Sequence, residues 1–234
     1  MSPSPQILLR YFKMGGFPLL WDKFRQACFS QESYLVLCRT FDIENSSLKA
    51  EAQLTRSDLG SVTTLAANGT GIEFKKLEPA AICDLLSAWP REFSGMRKHL
   101  MLLERELLER FATDIPGFGV WFGGNLGGAL WCTEWEGWRD IPETLKLHEP
   151  YEIKNFFILD RFRGWSLGGK LLTFAGQQMA LLQRCVALSR VMSERHASLT
   201  AHRKAGFVLI GCIREGCLLG RYHSRFTSLD HAHQ

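Results

Sequence analysis

Residues 151–170 read YEIKNFFILDRFRGWSLGGK, from Tyr151 to Lys170. An extended apolar run, Ile153 to Leu159, meets a turn rich in charge and glycine. From Leu171 onward the pattern predicts a helix, with Leu172, Ala175, Met179 and Leu182 turned inward. A strand that feeds a glycine loop into a helix start outlines an anion site. Free N–H groups point out of the first helical turn, and the helix dipole favours negative charge there. Glycine is expected in such a loop because a side chain would keep a phosphate away from the backbone.

Two nucleotide motifs fail on this stretch. Gly164 to Lys170 approaches a Walker A loop, but Leu171 stands where a Mg²⁺-binding Ser or Thr is required. The dinucleotide fingerprint GxGxxG is absent, and the loop comes late in the chain.

Upstream, Asn68-Gly69-Thr70-Gly71 signals a turn, and Ile72 to Leu77 alternates as a strand does. Glu78-Pro79 opens a helix, with Pro in the first turn. A stronger helix spans Met96 to Phe111, with Leu100, Leu103, Leu107 and Phe111 on one stripe. Phe118–Phe122 and Ala129–Trp135 read as two strands joined across residues 123–128, GGNLGG. Downstream, Cys185–Val191 predicts a strand and Ala197–Lys204 a short helix closed by Ala205-Gly206. Phe207–Ile213 and Cys217–Tyr222 predict a closing hairpin, with a polar tail from His223 that frays. Residues 1–50 predict an N-terminal extension, a helix over Gly16–Phe29 and a strand over Tyr34–Phe41. It closes one end of the sheet or presents a dimer surface, so a homodimer is one expectation. Strands and helices mix without the alternation of a doubly wound sheet. The expected class is α/β in the α+β sense: a mixed, mostly antiparallel sheet flanked by helices.

The chain has 234 residues, 46% hydrophobic and 22% charged, enough for one large domain or one domain with an extension. A net charge of +4 with no block of five like charges argues against nucleic acid. Seven cysteines, an odd count with no CxxC pair, sit mostly in apolar runs and read as small buried hydrophobes in a reducing compartment. No membrane-spanning run or signal peptide is expected, so the sequence reads as cytoplasmic.

Two segments carry a family resemblance. Arg163-Gly164-Trp165-Ser166-Leu167-Gly168 resembles the Arg/Gln-x-x-Gly-x-Gly/Ala loop of the GNAT N-acetyltransferases, with Ser166 at the first glycine position. Ala197-Ser198 … Lys204-Ala205-Gly206-Phe207 resembles the family's late helix and strand. The resemblance implies a GNAT-like acyl-CoA N-acyltransferase domain over residues 51–234. It implies acetyl-CoA as acyl-donor cosubstrate, and direct transfer to an amine on a small molecule, a sugar or a protein. It places backbone donors at Phe157 and Ile158 against the thioester carbonyl. N–H groups from Arg163, Gly164, Trp165, Ser166, Leu167, Gly168 and Gly169 would hold the pyrophosphate, with Lys170 or Arg161 adding charge. Glu134 and Glu136 are the candidate bases, with Glu152 behind them. His202 stands where the family often has a proton-donating Tyr, and Arg195 where it has an Asn, in reach of the CoA tail. These departures also imply an alternative: a non-catalytic module that uses the same cleft for CoA, a ligand or a partner chain.

Overall fold

A computed structural model describes residues 29–41, 62–65, 71–88, 98–113, 115–135, 141, 147, 149–218 and 221–229. The predicted helix over residues 16–29 lies outside the described residues, apart from its last position. The chain divides into two compact units: residues 37–190 with 195–208, and residues 1–36 with 191–194 and 209–234.

In the larger unit the strand order is β2-β3-β4-β5-β6-β7: Val62–Leu65, Gly71–Lys76, Gly117–Phe122, Asn125–Glu134, Tyr151–Ile158 and Val186–Met192. The last strand ends in the smaller unit, and β1, Phe29–Thr40, runs from the smaller unit into the larger. All pairs from β2 to β6 are antiparallel; β6 and β7 are parallel. Strand β5 is buried from Leu126 to Thr133, which is why it reads as a nearly continuous apolar run and not as an alternation. Its turn is tighter than the sequence predicts. Gly123 (φ 53°) and Gly124 (φ 79°) alone make it, and Asn125–Gly128 already belong to the strand. Two successive positive φ values are the turn geometry that matches strand twist.

Among the described residues four helices accompany the strands: α1 (Ile82–Ala88, after a 3₁₀ turn at Pro79–Ala81), α2 (Lys98–Ala112), α3 (Leu167–Leu181) and α4 (His196–Lys204). Leu85 of α1 and Leu107 of α2 are fully buried with Trp121, Trp131 and Phe157, on one face of the sheet. Leu100 and Leu103 of the predicted stripe fall where no side chain is described. Helix α3 covers the opposite face, where Phe174 lies 5.9 Å from Phe74 and 5.8 Å from Phe118. Gly176 admits the ring of Phe41: a Cβ there would lie 2.0 Å from it. Alanine at a helical glycine ordinarily gains stability. At Gly176 the sign is expected to reverse, with Gly176→Ala losing about 2 kcal/mol to overpacking, read by urea unfolding.

In the smaller unit β8 (Val208–Leu218) and β9 (Arg221–Ser228) form an antiparallel hairpin, from Gly211↔Ser228 to Leu218↔Arg221. This corrects two expectations. Arg214–Gly216 continues the strand where a turn is predicted, and residues 223–228 pair where fraying is predicted. The full cross-strand register satisfies the backbone groups of a polar sequence that periodicity alone assigns to a tail.

Candidate functional site

Helix α3 begins at Leu167, four residues earlier than the sequence predicts. Ser166 is its N-cap in the left-handed region, φ 58° and ψ 17°, with no side-chain capping bond. Gly164 is also positive, at φ 86°. Ser166 therefore adopts the backbone form of the glycine it replaces, at a cost of about 1 kcal/mol. The cap leaves the first-turn N–H groups of Leu167, Gly168 and Gly169 without carbonyls from the preceding turn.

Gly168 also has a packing role that the sequence does not show. Gly168 is buried, and a Cβ on it would lie 3.1 Å from both Ala201 Cβ of α4 and Phe156 Cζ of β6. A Cβ on Gly169 would meet Lys204 Cβ at 3.4 Å. Gly168 thus lets α4 and β6 pack closely against α3, while Gly169 has room for ordinary contact. The exposed loop residues are Arg161, Arg163, Gly164, Trp165 and Ser166, with Lys170 exposed on the first turn. Arg163 pairs with Asp160 at 2.8 Å. Along α3 from Ser166 runs a pocket of about 390 Å³, lined among others by Lys170, Thr173, Gln177 and Lys204. These residues fit a polyanion: free N–H groups, a helix dipole and exposed cations converge on one end of α3.

Strand β6 leads into this loop and carries a bulge. The register against β5 passes from Trp131↔Lys154 to Ala129↔Phe157, so β6 has one extra residue. Asn155, at φ 52°, is exposed at that step. Asparagine is among the few side chains that tolerate this region. On the other side, pairing with β7 covers Tyr151–Ile153 against Ala187–Ser189. No pair between β6 and β7 follows Ile153 among the described residues. The predicted donors Phe157 and Ile158 lie just past the bulge. Phe157 pairs with Ala129 and its side chain is buried in the core, while Ile158 pairs with Gly128.

The bulge reverses no faces for the residues before it. Glu152 and Lys154 share the α1–α2 face with Trp131. Glu152 is 2% exposed, and its Oε1 accepts from Arg190 Nε of β7 at 2.7 Å. Lys154 Nζ lies 3.7 Å from Oε2, and the Arg190 guanidinium lies 5.7 Å from the Trp135 ring centroid. Arg110 of α2 donates to Asn155 Oδ1 at 3.0 Å and lies 5.0 Å from the Trp131 ring centroid. Sequence reading places Glu152 behind Glu134 and Glu136; in the structure it is the carboxylate beside the bulge. Glu134 ends β5 opposite Tyr151 and is exposed, and Glu136 lies outside the described residues.

On the opposite face His202 is 1% exposed between Phe156 (5.4 Å) and Phe207 (5.1 Å), both edge-to-face. Its Nδ1 is 2.8 Å from Ser198 O, which can only accept, so Nδ1 carries the proton. Nε2 is buried with no hydrogen-bond partner. Burial pushes the imidazole down to about 4, only partly offset by the Ser198 carbonyl. The ring is thus neutral at pH 7 with its single N–H committed to backbone, which leaves no proton at Nε2 to give. Arg195 is the N-cap of α4 and is exposed.

Among the described residues no group of three His, Cys, Asp or Glu side chains could hold a metal ion, and no helix is long and apolar enough to cross a membrane. No protein-family model and no curated protein matches the chain. Solved structures do resemble it. A conserved protein of unknown function from Staphylococcus epidermidis aligns at TM-score 0.51 and 14% identity, over 85% of this chain and 65% of its own. A GNAT-family acetyltransferase from Colwellia psychrerythraea aligns at 0.48 and 14%, over 85% and 55%. A ribosomal-protein-alanine N-acetyltransferase from Brucella melitensis aligns at 0.44 and 16%, over 67% and 99%. The chain thus spans little more than half the length of the Colwellia protein. At these identities the likeness concerns the fold alone, and the larger unit carries the mixed, mostly antiparallel sheet flanked by helices that the sequence predicts.

Proposed function

We propose that the chain is an acyltransferase that moves an acetyl group from acetyl-CoA directly to an amine. The observation that carries the reading is the bulge at Asn155, where β6 parts from β7 just upstream of the α3 N-terminus. An extended thioester lying along β6 past the last β7 pair, with its pyrophosphate on the first turn of α3, would bring its carbonyl to the strand backbone beside the bulge. Such fixed donors stabilise the oxygen as negative charge builds, and holding both reactants lowers the barrier further. The amine must attack neutral. It forms the new C–N bond, the C–S bond breaks, and the amine's proton passes to solvent or a carboxylate. Glu152 is the best-placed carboxylate, acting through a water, with Glu134 further out. His202 has no donor role in this scheme, and the thiolate takes its proton from water.

The committed Nδ1–H of His202 also favours a second reading, a binding module without turnover. Thiol release from acetyl-CoA, measured against a panel of small amines and peptide N-termini, separates the two. Amine-dependent release supports the transferase. Acetyl-CoA binding without release for any amine supports the module.

A further inference from the structure

Trp165 is 46% exposed, yet its environment is built. Its ring lies 5.1 Å from Phe122 at 78°, and Phe122 lies 5.5 Å from Phe162. Phe162 in turn sits on the glycine stripe of β5, where a Cβ on Gly127 would lie 3.2 Å from its ring. The Arg161 guanidinium also lies over Phe162, 4.8 Å from the ring centroid. An aromatic pile thus rises from the sheet and ends in an indole. An edge-to-face contact with Phe122 leaves at least one face of that indole uncovered. Gly164 and Ser166, both at positive φ, flank it in the chain.

An uncovered indole loses the burial that would otherwise favour it, so its position calls for a partner with a flat apolar face. That partner would also approach the free N–H groups of Leu167 to Gly169 and the exposed Arg163, two to four residues away. The chemistry that meets both is a nucleotide: phosphate at the helix start and an aromatic base on the ring. We infer that Trp165 is the stacking platform for the adenine of acyl-CoA, so that the pile from Gly127 to Trp165 fixes the nucleotide end of the cosubstrate. This rests on the acyl-CoA reading and adds the base-recognition residue to it.

The test is calorimetric titration of the native chain, Trp165→Ala and Trp165→Phe with acetyl-CoA and with S-acetylpantetheine, which lacks the nucleotide. Base–aromatic stacking contributes about 1–3 kcal/mol, so Trp165→Ala is expected to weaken acetyl-CoA about tenfold or more. Trp165→Phe should retain most of the affinity, and S-acetylpantetheine should not distinguish the variants. Acetyl-CoA affinity unchanged in Trp165→Ala overturns the inference and leaves the acyl-CoA reading standing. An equal loss with S-acetylpantetheine also overturns it, because the indole would then be supporting the loop. A native chain that binds neither donor removes the acyl-CoA reading itself.

Discussion

Arg190→Met is expected to destabilise the protein by about 3 kcal/mol, because it strands a carboxylate that has left water. Glu152 is 2% exposed, and Arg190 Nε at 2.7 Å is its short partner. Lys154 remains, but at 3.7 Å, which keeps the loss at the low end of what an orphaned buried charge costs. The double variant Arg190→Met/Glu152→Leu should recover most of the loss, since replacing both partners removes the desolvation penalty together with the attraction. Urea unfolding of the native chain, both single variants and the double variant measures the coupling. Additive losses would show that the pair contributes no coupling energy. A further variant, Glu152→Gln, reports on chemistry, because a transferase that uses Glu152 loses turnover there even where stability holds.

The second large effect is a pH dependence set by His202. Its folded-state value of about 4 lies below the ordinary 6.5, so between these limits the unfolded chain binds more protons than the folded one. Stability is therefore full above about pH 6.5, falls as the pH drops, and levels near pH 4. The shift of about 2.5 units corresponds to about 3 kcal/mol at most. Other groups titrate in the same window, so the comparison is with His202→Phe, which fits between Phe156 and Phe207 and carries no proton. The difference in unfolding free energy between the two proteins should change by that amount from pH 7 to pH 4. A difference that does not vary with pH would mean the imidazole reaches water.

Much of the site was legible because it rests on local features. A strand, a glycine-bearing turn and a helix follow one another as the sequence predicts, with Arg163–Ser166 between β6 and α3. The apolar run Ala129–Trp135 announced β5, although its first residues, Asn125–Gly128, read as part of the turn. What the sequence hid depends on contacts between distant residues. The early start of α3 is invisible because Gly168-Gly169 argues against helix, and the close approach of Ala201 and Phe156 to Gly168 comes from distant residues. The bulge at Asn155 leaves no signature in Lys-Asn-Phe-Phe, since asparagine at positive φ looks like asparagine anywhere. The Glu152–Arg190 pair spans 38 residues and exists only because β6 and β7 are parallel at that point. His202, between Ala201 and Arg203 in a polar helix, gives no hint of its burial.

The central claim is that the N-terminus of α3 receives the pyrophosphate of acetyl-CoA. Gly168 is a poor place to probe it, because any side chain there strikes Ala201 and Phe156. Ser166 is exposed at the cap, where a carboxylate favours the helix while repelling an anion. The measurement is calorimetric titration of acetyl-CoA into the native chain and Ser166→Glu, with thermal unfolding of both as the control for folding. Binding by the native chain that Ser166→Glu loses at undiminished stability is the result predicted here. Equal binding by the two, or none by the native chain, would contradict it.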